Sequence, residues 1–106
     1  MQPVVAYLRT HDGDRANIAR QRALIEAWAT RKGTTIAAWF IDDYESVSTP
    51  PLDRATLRAA LSAASQTGHT LLVTRTDRIS RSPSQVATIA ALLRRHGASL
   101  KTIACP

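Results

Sequence analysis

Cysteine, lysine and long apolar runs are scarce in this 106-residue chain, and each scarcity narrows what it can be. Cys105 stands alone, so no internal disulfide forms, which fits a reducing cytoplasm. The longest apolar run, Ile36 to Ile41, falls far short of the roughly 20 residues a membrane helix needs. The N-terminus lacks the basic-then-apolar pattern of a signal peptide. A cytoplasmic protein with no membrane partner is expected. Also missing are H-x-x-x-H, C-x-x-C, a Walker loop and G-x-G-x-x-G. No zinc, nucleotide or dinucleotide group is therefore expected, and no cofactor of any kind. The adjacent acids Asp42 and Asp43 do not by themselves make a metal site.

Arginine is what the chain has. Of 14 basic residues only Lys32 and Lys101 are lysine, and the net charge is +6. A small basic domain points to a polyanionic partner, nucleic acid first. Arg is also the side chain whose planar fork holds phosphate oxygens bidentately and never loses its charge.

The apolar pattern alternates between strand-like and helix-like segments. Pro3 to Leu8 reads as a buried strand. From Arg15 to Lys32 the period becomes helical, with Ile18, Gln21, Ile25 and Trp28 on one face, Leu24 beside them, and Gly33 as a left-handed stop. Thr34 to Ile41 is a second strand, and Asp42 to Pro51 a loop. A helix opens at Pro51 or Leu52, carries Leu57, Ala60, Leu61 and Ala64 inward, and closes near Gly68. Thr70 to Arg75 is a third strand. Ser82-Pro83-Ser84-Gln85 has the form of a capping box with proline at the first helical position. That helix runs to about His96, with Val86, Ile89, Ala90 and Leu93 inward, and stops at Gly97. Ser99 to Ala104 is a fourth strand.

The order β-α-β-α-β-α-β predicts a three-layer α/β fold. Its sheet is mostly parallel, of four to five strands, with helices on both faces. In such sheets the working site lies beyond the carboxyl ends of the strands. Three segments fall there: Arg9 to Asp14, Asp42 to Ser48, and Thr76 to Arg81. Arg9, Arg78 and Arg81 thus read either as an anion clamp or as solvated loop charges paired with nearby acids. Asp77 either orients an arginine, accepts a proton, or makes a structural ion pair. Gln21 reads as a buried, satisfied amide that holds the first loop. His11 reads as a base, a phosphate contact or an exposed loop residue. His69 and His96 sit near helix ends.

These residues resemble a known family. Tyr7-Leu8-Arg9, Gln21, the Asp43 and Ser46 loop, Pro51-Leu52 and Thr76-Asp77-Arg78-Ile79-Ser80-Arg81-Ser82 look like the N-terminal catalytic domain of the serine recombinases, the resolvase/invertase family. The resemblance spans nearly the whole chain. It implies DNA recombination, in which a serine cuts a strand and becomes joined to a 5′ phosphate. By the same matching Arg9, Gln21, Asp77, Arg78 and Arg81 are retained. The serine position, however, reads His11, the arginine expected before the second-loop proline reads Pro50, and the glycine after the loop serine reads Val47. Thr10 has a hydroxyl but lies one residue out of register, which in a strand sends it to the opposite face. Ser46 and Ser48 are further hydroxyls near the site.

The expectation is one resolvase-like catalytic-type domain over residues 1–106, impaired or inactive in strand cleavage: a pseudoenzyme. The family's C-terminal oligomerisation helix and DNA-binding domain are expected to be absent from this chain. Its partners would be DNA and either a second copy or a recombinase. Two alternatives remain. One is an active fragment with Thr10 as a displaced nucleophile. The other is a non-enzymatic interaction module on the same scaffold.

Overall fold

The computed structural model describes residues 2–46 and 48–103. Its elements in chain order are β1 (Val4–Arg9), α1 (Arg15–Lys32), β2 (Ile36–Asp42), α2 (Ala55–Thr67), β3 (Thr70–Val73), α3 (Pro83–Arg95) and β4 (Ser99–Thr102). Among the described residues the sheet has four strands in the order β2-β1-β3-β4, all parallel. The sheet is therefore at the lower end of the expected strand count and wholly rather than mostly parallel.

Parallel strands need covering on both faces, and the apolar side chains divide accordingly. Val4, Ala6, Leu8 and Leu72 meet Ile25, Trp28 and Ala29 of α1 on one face. Val5, Tyr7, Leu71 and Val73 meet Leu57, Leu61, Ile89 and Leu93 of α2 and α3 on the other. β1 feeds both clusters because successive side chains alternate, and every one of its residues is buried.

Local chemistry sets the ends of the helices. The Asp14 carboxylate accepts from Asn17 N at 3.1 Å and caps α1. Gly33, at φ +69°, ends the helix and sends its N–H to the Ala29 and Thr30 carbonyls. The capping box of α3 is only half formed. Ser82 Oγ accepts from Gln85 N, but the Gln85 side chain turns to the Ser80 hydroxyl, and Ser82 N donates to Ser80 Oγ instead.

Several expected boundaries move. The helix read from Pro51 or Leu52 is interrupted. A single 3-10 turn covers Pro51–Asp53, Arg54 is extended at φ −93° and ψ 113°, and α2 begins at Ala55. The break follows from burial of the Arg54 side chain, which a continuous helix would carry away from its partners. β3 stops at Val73, because Thr76–Arg78 forms a second 3-10 turn. Leu24, read as flanking the apolar face of α1, is 54% exposed. Val47 and Ala104 lie outside the described residues.

Candidate active site

After β2 the chain reverses direction along the sheet, so β3 sits on the other side of β1. The crevice at such a reversal, between the carboxyl ends of β1 and β3, is where open α/β sheets hold their ligands. A cleft of about 370 Å³ opens there. Arg9, Thr10, His11, Asp77, Arg78 and Arg81 all line it, and Ser46 reaches it from the second loop. The sequence-derived site residues thus share one cavity, except Gln21, which stands behind it.

The arginines are not equivalent. Arg9 is 6% exposed and ties the loops together. Its Nε donates to the Arg78 carbonyl at 3.0 Å, Nη1 to Glu45 O at 2.9 Å, and Nη2 to Asp77 O at 3.0 Å. Three of its five N–H groups are spent on backbone, leaving two for a ligand. Burial and the nearby Arg54 and Arg78 charges lower its pKa from the usual arginine value. Arg78 is half-buried and makes only long bonds, to Thr74 Oγ1 and Arg9 O, each 3.4 Å. Arg81 is exposed on the cleft wall, and no hydrogen bond or ion pair engages its guanidinium among the described residues.

Gln21 is 2% exposed and grips the end of β1 from α1. Its Nε2 donates to Arg9 O at 2.9 Å, and its Oε1 accepts from Arg9 N at 3.3 Å. One amide therefore satisfies both backbone groups of the residue that enters the cleft.

Thr10 departs from the strand-alternation expectation. β1 ends at Arg9, so the period-two rule no longer applies, and Thr10 lines the cleft beside Arg9. Its backbone is held by Asp42 O and Glu45 N. Its hydroxyl donates to Asp12 Oδ1 at 2.9 Å. That bond, followed by one from Asp14 N, keeps the Asp12 carboxyl below the ordinary aspartate range. The His11 side chain is 73% exposed, with Nε2 4.0 Å from Asp12 Oδ2. Asp77 faces two ways. Oδ2 lies 3.6 Å from Arg75 Nε, while Oδ1 is buried without a partner among the described residues.

Sequence reasoning missed Arg54. It is fully buried, and it donates from Nε to Thr49 O at 3.1 Å and from Nη1 to Arg78 O at 3.0 Å. The Arg78 carbonyl therefore receives both Arg9 and Arg54. Arg54 thus brings a guanidinium from the end of the second loop to the β3–α3 loop. The available signal was an arginine directly before the α2 apolar pattern, in Leu52-Asp53-Arg54-Ala55-Thr56-Leu57. Tyr7 lies in the buried run of β1, and its hydroxyl donates to Asp42 Oδ2 at 2.6 Å. Burial first, and that carboxylate second, push its pKa well above the usual phenol value.

Among the described residues no group of three His, Cys, Asp or Glu side chains is placed to hold a metal, and no helix is long and apolar enough to cross a membrane.

The comparisons with known proteins agree with this fold. The chain overlays the C-terminal catalytic domain of ISC1926 TnpA, an IS607-like serine recombinase, at a TM-score of 0.80 and 20% identity, covering 100% of this chain and 72% of that one. It overlays the N-terminal catalytic domain of TP901-1 integrase at 0.84 and 17%, covering 97% and 78%. The C-terminal catalytic domain of IS1535 TnpA, also an IS607-like serine recombinase, matches at 0.73 and 27%, covering 93% and 69%. None of the curated proteins matches significantly. The family described as "Resolvase, N terminal domain" matches residues 4–105, almost the whole chain. This chain belongs to that family and has the fold of a serine recombinase catalytic domain.

Proposed function

We propose that this domain holds a DNA phosphodiester in the switch-point cleft but does not cut it by the serine route. The observation that carries the reading is the pairing of an arginine-lined cleft with an imidazole at the serine position. Arg81 is unengaged, Arg78 is weakly engaged, and Arg9 keeps two free N–H groups, which together suit the non-bridging oxygens of one phosphate. His11 offers no hydroxyl, and its ring stands mostly in solvent. Covalent strand transfer needs a nucleophile aimed at phosphorus and cations on the developing charge, and here the cations remain without the serine.

The test is incubation with a nicked duplex that traps 5′-phosphoprotein adducts. The expected result is salt-sensitive binding with no adduct, and weaker binding for Arg81→Ala. An adduct formed by the unaltered chain overturns the reading.

One observation favours a second reading. The Thr10 hydroxyl lies in the cleft and donates a hydrogen bond to the Asp12 carboxylate at 2.9 Å. In that case Thr10 Oγ1 bonds to phosphorus, its proton passes to Asp12, and the P–O3′ bond breaks to leave a 3′ hydroxyl that takes up a proton. An adduct lost on Thr10→Ala and retained on Ser46→Ala identifies this route.

A further inference from the structure

Beside the cleft lies a second concavity of about 340 Å³, between α1 and the carboxyl end of β3. Arg78 and Asn17 line both, so the two are neighbours. Their electrostatics differ. The cleft sets Arg9, Arg78 and Arg81 against Asp12, Asp14 and Asp77, so its formal charges nearly cancel. The second groove carries Arg20, Arg31 and Arg75 along with Arg78, and no carboxylate of the described residues lines it. Leu24 and Ile103 add apolar side chains to its lining. Arg75 also lies 3.6 Å from Asp77 Oδ2, but its side chain is 66% exposed and free to turn outward.

A near-neutral cleft orients a phosphate but attracts a polyanion weakly. An arginine groove free of acids does the reverse. We infer that Arg20, Arg31 and Arg75 form a track for the DNA backbone next to the phosphate held in the cleft. Most of the domain's affinity for duplex DNA then comes from this track. The occupant is a duplex rather than an unpaired strand, because the groove offers no aromatic platform for bases. Leu24 and Ile103 face the deoxyribose between successive phosphates. This inference rests on the DNA reading above.

The experiment is fluorescence anisotropy of a labelled mixed-sequence duplex, titrated with the 106-residue chain over a series of salt concentrations. The variant Arg20→Ala/Arg31→Ala/Arg75→Ala is compared with Arg94→Ala/Arg95→Ala/Lys101→Ala, which removes the same charge elsewhere. Each lost phosphate contact reduces the slope of log K against log salt by about 0.9. The groove variant is expected to lose roughly 2–3 of that slope and about tenfold or more in low-salt affinity, while the distal variant keeps the wild-type slope. A wild-type slope in the groove variant overturns the inference. If Arg81→Ala still weakens binding in that case, the cleft reading survives alone. No binding by the unaltered chain removes both. If Leu24→Glu breaks a dimer while the groove arginines leave DNA affinity unchanged, the groove seats another protein chain, and the inference also falls.

Discussion

Arg54 and Arg81 have the same side chain and opposite roles, and burial separates them. Arg81 is exposed and has no partner to lose, so Arg81→Ala should change stability by less than about 0.5 kcal/mol while weakening DNA binding. Arg54 is sealed in and holds the Thr49 and Arg78 carbonyls. Removing it strips the Thr49 carbonyl of this donor, leaves the Arg78 carbonyl to Arg9 alone and empties a buried side-chain volume, with about 1–3 kcal/mol for the lost hydrogen bonding. Arg54→Ala should therefore cost about 2–4 kcal/mol by urea denaturation. Arg54→Lys should rescue little of it, since one ammonium does not reproduce a two-armed fork. If Arg54→Ala is as stable as the wild type, these bonds do not organise the loops. Tyr7 supplies a pH signature. Its folded pKa is raised, so the folded state keeps a proton that the unfolded state releases. The associated stability is fully present below about pH 10, the ordinary phenol value, and is lost as pH rises further. Thermal melts above that pH should fall more steeply for the wild type than for Tyr7→Phe. Parallel curves would remove Tyr7 as the cause.

At the scale of elements, the parts most legible in the sequence were those in which one signal ruled. α1 runs from Arg15 to Lys32 as its period and Gly33 dictate, and the apolar spacing of α2 picked out all four of its buried residues. What could not be read was the conformation of polar segments whose geometry depends on distant partners. Nothing local to Arg54 says that it will be extended and buried, because its acceptors come from Thr49 and from the β3–α3 loop. Nothing local to Gln85 says that it will choose Ser80 over the capping-box bond. The convergence of Arg9, Asp77, Arg78 and Arg81 was legible because the β-α alternation alone fixes which edge of the parallel sheet they occupy. The division of labour among them was not, since it depends on which carbonyls lie within reach. The caps are testable in isolation. Asp14→Ala removes the acceptor for Asn17 N and should cost about 1 kcal/mol. The loss should appear as a lower Tm with unchanged helix content at low temperature. An unchanged Tm would mean that water replaces the carboxylate there.

At the scale of the whole molecule, one four-stranded sheet serves two apolar clusters, and the cleft between β1 and β3 depends on both. α1 and its cluster position Gln21 and hence Arg9, whereas α2 and α3 frame the loops that carry Arg54, Arg78 and Arg81. β1 and β3 place side chains in each cluster, so neither face can separate without exposing the other. Unfolding should therefore be a single transition, as is usual for a domain of this size. The two tryptophans make this measurable. Trp28 belongs to the α1 cluster and Trp39 packs against it, so intrinsic fluorescence reports on one face only. Leu57→Ala lies wholly in the other cluster and should cost about 2–5 kcal/mol. In a cooperative molecule that loss moves the tryptophan midpoint as far as it moves the circular dichroism midpoint. A fluorescence transition that stays in place while the helix signal shifts would mean that the two faces unfold separately. The cleft would then sit on a seam between two units and not on one rigid body.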